Sequence, residues 1–289
     1  MYPFMDFQGF SCFSKVHEVP FFVFLELGGN TMKKALLVGI NNYPASPLNG
    51  CVNDVNNMAN ELVTNYNFEH DNVRLLVDER ATKIEIIARL NWLVDCKPGD
   101  VIYFHYSGHG TQVASRNANA EVDNLNECIC PVDFSWDPNH YITDKELYEI
   151  FSKIPHGVAF FWLSDSCHSG DLTRDILVHK KRFIRPPADL AWRVRTAKSK
   201  GLFANRSVSN GVLDVGYISG CRSDQTSADA FIDGKSCGAF THFFLKNLKT
   251  MRDKPLDDLT DAVRKDLKNN GYSQQPQVEG TRVRYPFCN

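Results

Sequence analysis

Phe160-Phe161-Trp162-Leu163-Ser164-Asp165-Ser166-Cys167-His168-Ser169-Gly170 is an apolar run that stops abruptly and delivers a cysteine into a polar, glycine-terminated turn. The run from Val158 to Leu163 has the character of a strand buried on both faces, as in parallel sheets. Open α/β sheets carry their chemistry beyond the carboxyl ends of such strands. A second stretch has the same build: Asp100-Val101-Ile102-Tyr103-Phe104-His105-Tyr106-Ser107-Gly108-His109-Gly110. It is also an apolar strand, and its turn offers a histidine. If the two strands are neighbours, His109 and Cys167 meet. A lone cysteine is most often core, and a lone histidine is most often a satisfied residue. Two strand-end turns carrying complementary groups set a Cys/His pair beside those plainer readings.

The segments around these strands alternate in kind. Ala35 to Ile40 and Val73 to Val77 read as further buried strands. The helix running to about Tyr66 is capped by Asn53 or Asp54, with Met58, Leu62 and Val63 as its apolar face. Thr82 to Val94 is a second helix, opened by Thr82 and Glu85 as a capping box. Thr143 to Ile154 is a third, with Thr143 capping and Glu146 three residues on. Strands alternating with helices imply βαβ units and a mainly parallel sheet. Thr111 to Asn126 is polar and aperiodic and reads as a surface loop. Cys128-Ile129-Cys130-Pro131 reads as a short edge piece. After Val215-Gly216-Tyr217-Ile218-Ser219, another strand, come helices over Ala239 to Leu248 and Pro255 to Leu267. Pro276 to Gly280 reads as a last short strand.

Composition narrows the classes. The chain has 289 residues, 43% hydrophobic and 23% charged, the profile of a globular protein. No apolar run reaches the roughly 20 residues of a membrane helix. A net charge of -2 offers no general pull on nucleic acid. Nine cysteines without repeated paired spacing indicate free thiols, a reducing compartment and a cytoplasmic location. Cys128 and Cys130 lack the second pair that a structural zinc site needs, so no metal site is expected. Residues 1–31 carry recurrent phenylalanines without a period and fit a secretory signal poorly. They read as an N-terminal extension, with the body starting at Met32.

Residues 172–210 interrupt the α/β pattern. They hold ten Lys/Arg and two acidic residues, within a chain that is acidic elsewhere. With Pro186-Pro187 and little periodicity, the segment reads as an exposed, mobile linker. A nucleic-acid patch is an alternative, although its aromatic interleaving is thin.

Four motifs now stand in order: Gly50-Cys51-Val52-Asn53-Asp54; Tyr106-Ser107-Gly108-His109-Gly110; Asp165-Ser166-Cys167-His168-Ser169-Gly170; and Ser219-Gly220-Cys221 with Gln225-Thr226-Ser227-Ala228-Asp229. Through them the chain, over about residues 33 to 285, resembles the metacaspases and orthocaspases, caspase-like cysteine peptidases. The resemblance implies a caspase-like three-layer αβα sandwich on a mainly parallel six-stranded sheet. It implies a large-subunit-like part over 32–171 and a small-subunit-like part over 211–289, joined by the linker.

The chemistry can be argued beside the resemblance. A thiolate is the attacking species, so Cys167 is the candidate nucleophile and His109 the group that raises its reactivity and protonates the leaving amine. His168 adjoins the nucleophile but points elsewhere. The resemblance assigns the oxyanion donors to the amides of Gly110 and Cys167. It also places Cys51, Asp54, Ser107 and Asp165 around the primary pocket. Asp229 or Asp224 would add a further acid at the rim, although Asp224 reads more readily as a turn residue. Paired carboxylates at a cleft floor call for a cation, so the expected cleavage is after Arg or Lys. Plainer readings are a helix cap for Asp54 and a loop hydrogen-bonder for Asp165.

A peptidase of that specificity would find ten basic residues in its own linker. Self-cleavage is therefore expected there, at Arg174, Lys181, Arg182, Arg195, Lys198 or Lys200. The expected partners are polypeptide substrates, with no nucleic acid or membrane, for a monomeric enzyme. No cofactor is required by the sequence. Calcium activation is common in the family, but the acids here show no ligand spacing for it. The rival readings are a clostripain-like or gingipain-like peptidase of the same clan, and an inactive homologue acting as an interaction module.

Overall fold

A computed structural model of the chain describes residues 31–114, 125–167, 180–194, 215–222, 225–279 and 287. The expected extension over 1–31 falls almost wholly outside these. Five parallel strands form the main sheet with one antiparallel edge strand. In chain order they are β1 (Lys33–Gly39), β2 (Val73–Val77), β3 (Val101–Ser107), β7 (Ala159–Asp165), β9 (Val215–Ser219) and β12 (Gln277–Glu279). The order across the sheet is β12-β9-β7-β3-β1-β2. The strands ending at Ser107 and Asp165 are therefore neighbours. Their register pairs Phe104 with Trp162 and Ser107 with Asp165.

Alternation along each strand divides the core in two. Leu36, Val38, Phe104 and Trp162 face α2 (Lys83–Val94) and α3 (Asp144–Phe151). Leu37, Tyr103, Phe161 and Leu163 face α1 (Cys51–Asn65), α5 (Ala239–Leu248) and α6 (Leu256–Asn269). This makes three layers. Strands apolar on both sides, such as Val101-Ile102-Tyr103-Phe104, are what such a position demands.

Two small sheets lie outside the main one. Strands β4 (Gly110–Ala114), β5 (Leu125–Ile129) and β6 (Ile142–Thr143) form the first, with β5 in the middle. The polar stretch after His109 therefore opens as a strand, and the Cys128 segment is central rather than an edge. Backbone pairing outweighs side-chain polarity here. The second sheet comprises β8 (Lys180–Lys181), β10 (Ala228–Ile232) and β11 (Lys235–Gly238). The linker also contains a short helix, α4 (Ala188–Val194).

The caps follow sequence chemistry with one exception. Thr82 accepts from the Glu85 amide, and Thr143 and Glu146 form a reciprocal capping box. Asp54 does not cap α1, because it lies inside the first turn. Asn41 Oδ1 does so from outside, accepting from the Cys51 and Val52 amides at 2.9 and 3.4 Å. That leaves the Asp54 carboxylate free to turn away from the helix end.

His105, in the middle of β3, is fully buried, and neither ring nitrogen has a hydrogen-bond partner. Burial pushes its pKa down from 6.5 to about 3, only partly opposed by the Asp165 carboxylate. The folded protein holds it neutral, whereas the unfolded chain protonates it below about 6.5. This residue therefore makes stability fall as pH drops from about 6.5 towards 3, by up to about 1.4 kcal/mol per pH unit. His105→Leu should flatten that slope and raise stability at neutral pH by about 1–3 kcal/mol. Urea melts between about pH 4 and 7 measure both, and an unchanged slope would refute the assignment.

Candidate active site

The carboxyl ends of β3 and β7 converge where the sequence suggested. Three features fix the first turn. The Tyr106 hydroxyl donates to the His109 carbonyl at 2.6 Å, and the Tyr43 hydroxyl accepts from the His109 amide at 3.0 Å. A Cβ on Gly108 would lie 2.6 and 2.8 Å from these same hydroxyls. That glycine therefore makes room for the tyrosines holding the histidine. On the ring, Nε2 lies 2.7 Å from the Ser46 carbonyl, which can only accept. Nε2 thus carries the hydrogen, which leaves the lone pair to Nδ1. Burial pushes the ring's pKa down to about 4, so at neutral pH the imidazole is uncharged and can take a proton.

Cys167 follows β7 and is fully buried. Its sulfur contacts the Ser227 amide and lies 3.5 Å from the Ser227 carbonyl. Its own amide donates to the Arg182 carbonyl at 3.2 Å, and the Gly110 amide donates to that same oxygen at 3.0 Å. The His109 ring also interacts with the Arg182 backbone. The two turns therefore meet around one peptide carbonyl, which belongs to the linker.

The Arg182 side chain is the other surprise. It is fully buried among three carboxylates. Nη1 lies 3.1 Å from Asp165 Oδ2 and donates to Ser107 Oγ at 2.8 Å. Nη2 donates to Asp54 Oδ2 at 2.8 Å and to Asp229 Oδ1 at 3.2 Å. Burial alone would lower the guanidinium pKa, but the surrounding carboxylates outweigh it and hold the charge. Burial conversely raises Asp54, against the pull of Arg182. Burial likewise pushes the Cys51 thiol up, leaving it a neutral part of the same wall.

The predicted pocket residues Asp54, Ser107, Asp165 and Asp229 are thus brought onto one cation. Asp229 also accepts from the amides of Asn49 and Gly50. The expected exposed linker is corrected at its centre: β8 pairs antiparallel with β10 and carries Arg182 into the pocket. Charge explains why. A basic segment is drawn to a cluster of acids that would otherwise be buried unpaired. Lys181 lies in β8, half-buried, beside the pocket. Arg174, Arg195, Lys198, Lys200, His168 and Asp224 lie outside the described residues.

Three contributors escaped the sequence reading. The Thr241 amide and hydroxyl both donate to Asp165 Oδ2, at 3.1 and 2.7 Å. Ser227 Oγ donates to Asp165 Oδ1 at 2.6 Å. The Gly238 amide donates to Asp54 at 2.9 Å, and a Cβ there would lie 2.6 Å from Arg182 Nη1 and 2.8 Å from Asp54 Oδ2. Ser227 stood inside a quoted motif, but Gly238 and Thr241 had no local signal. Among the described residues no group of three His, Cys, Asp or Glu is placed to hold a metal ion. No described helix is long and apolar enough to cross a membrane.

Two backbone amides on one carbonyl, one of them belonging to a cysteine and the other following a histidine, at the carboxyl edge of an α/β sheet, make an arrangement suited to acyl transfer. Comparison with known proteins gives that class its name. Residues 33–175 match the family model described as metacaspase, peptidase C14 domain. Metacaspase-1 of Meyerozyma guilliermondii is 33% identical over 86% of this chain and 69% of its own length. Metacaspase-1 of Debaryomyces hansenii is 34% identical over 86% of this chain and 64% of its own. A crystal structure of protein GSU0716 from Geobacter sulfurreducens superposes with a TM-score of 0.66 at 26% identity, covering 89% of this chain and 98% of that one. The class is that of the caspase-like cysteine peptidases. Within it, the chain belongs to the metacaspase family.

Proposed function

We propose that this protein is a cysteine endopeptidase that cleaves after arginine, and after lysine less well, and that one of its substrates is its own Arg182–Phe183 bond. The observation that carries the reading is the double placement of Arg182. Its guanidinium is paired with three acids, while its carbonyl oxygen accepts from the Gly110 and Cys167 amides. In the proposed reaction the Cys167 sulfur, its proton passed to His109 Nδ1, attacks the carbonyl carbon. Negative charge develops on the oxygen between the two amides. The C–N bond then breaks, and the imidazolium gives its proton to the departing Phe183 amine. Water hydrolyses the thioester, leaving a carboxylate on Arg182 and restoring the thiol.

Arginine is favoured because two nitrogens of one planar group are used on two walls. The test is a panel of peptides with Arg, Lys or Asp at the cleaved position, offered to the native protein and to Cys167→Ala, with and without calcium. Turnover should follow Arg, then Lys, and vanish with the thiol. Turnover surviving Cys167→Ala, or directed at Asp, would end the reading. The calcium arm decides the activation that family membership suggests.

A further inference from the structure

The chain is gripped on the far side of the Arg182–Phe183 bond as closely as on the near side. Phe183 forms a parallel bridge with Gly110. One residue further on, the Ile184 amide donates to the Gly110 carbonyl at 3.0 Å, and the Ile184 carbonyl accepts from Thr111 Oγ1 at 2.8 Å. Thr111 is fully buried, and the Ile184 side chain packs on the core cluster beneath α2 and α3. Gly110 therefore spans the bond. Its amide meets the acyl oxygen, and its carbonyl meets the chain that would leave.

We propose that the start of β4 is a specificity subsite for the leaving side of the substrate, selecting an apolar residue at the second position after the cleaved bond. Gly110 and Thr111 hold the backbone of that residue, and the core face receives its side chain. The assignment rests on the reading above, in which Arg182–Phe183 lies as a bond to be cut. A linker merely passing over the site would not explain a buried hydroxyl committed to its carbonyl, because a buried polar group needs its partner. Nor would it explain an aliphatic side chain set against the core beside a cluster of charges. The selection is for polypeptides that continue at least two residues past an arginine.

The test uses peptides with a fixed Lys-Lys-Arg-Phe core, either ending there as an amide or continuing with Ile, Ala or Asp capped as a methylamide. Extension with Ile should raise kcat/KM about tenfold or more over the truncated peptide, the size expected for one apolar contact with its backbone bonds. Asp at that position should remove the gain. Thr111→Val should bring the extended-to-truncated ratio down towards one. In the full chain, Ile184→Asp should slow the cut after Arg182 about tenfold. Equal turnover of truncated, Ile and Asp peptides would overturn the subsite while leaving the Arg preference and Cys167 dependence standing. Absence of cleavage of every Arg peptide would remove both readings.

Discussion

Asp165→Asn should lower kcat/KM for peptides with arginine at the cleaved position by about 10²–10³-fold, with a much smaller loss for citrulline in its place. The carboxylate of Asp165 is surrounded by donors: the Thr241 amide and hydroxyl, the Ser227 hydroxyl and the Arg182 Nη1. An amide would turn an NH2 towards groups that also donate, and would leave a buried guanidinium short of one counter-charge. Removing one partner of a buried ion pair costs about 3–5 kcal/mol, and about 1.4 kcal/mol is tenfold in rate. Asp54 and Asp229 remain, which places the effect at the lower end of that range. The ratio of arginine to citrulline turnover isolates selectivity from general damage. Equal losses on both peptides would show that Asp165 supports the fold rather than the choice of substrate.

Arg182→Gln should stop the cut at the Arg182–Phe183 bond, a loss of at least about 10²-fold. Arg182→Lys should slow it by about 10–100-fold. Glutamine offers no charge to the three carboxylates. Lysine offers one ammonium where arginine reaches Asp165 and Ser107 with Nη1 and Asp54 and Asp229 with Nη2. Each charged hydrogen bond lost is worth about 1.5–3 kcal/mol, partly recovered as the lysine settles against one wall. Mass mapping of fragment ends reads the result: a native end at Arg182 with its partner starting at Phe183. The same fragments arising from Arg182→Gln would sink the assignment.

The substitution has a thermodynamic signature as well. Burial already raises Asp54 above its usual range, and losing the cation raises it further. The folded variant then binds a proton that the unfolded chain has released above about pH 4. Asp54 therefore contributes a loss of stability as pH rises from about 4 through its raised folded pKa, opposite in sign to the contribution of His105, and in the variant that loss continues to higher pH than in the native protein.

Much of this was readable beforehand, and the reasons differ by residue. The paired strands were legible because Val101 to Tyr106 and Phe160 to Leu163 are apolar on both faces, which only a covered parallel sheet tolerates. His109 and Cys167 were legible because such strands end at the same edge. The acids were legible as a set needing a cation. Which cation was not, because nothing local distinguishes Arg182 from nine other basic residues in its segment. Its selection is tertiary: β8 must first pair with β10, more than forty residues later. The strand at Thr111 was missed for a related reason. A polar sequence whose pairing partner is remote carries no period of its own. Gly238 was invisible because its function is to lack an atom.

If the Arg182–Phe183 bond is a substrate, the place of Arg182 among its acids also sets the order of the reaction. A segment joined to its own site faces it at an effective concentration near the millimolar range, however dilute the protein. A first cut made this way is unimolecular, and its half-time should not change on dilution. A peptide in solution must match that local concentration before it can take the tethered strand's place, so turnover of added peptide should begin with a lag set by the first cut. The chemistry at that seated bond, rather than any encounter in solution, then sets the clock.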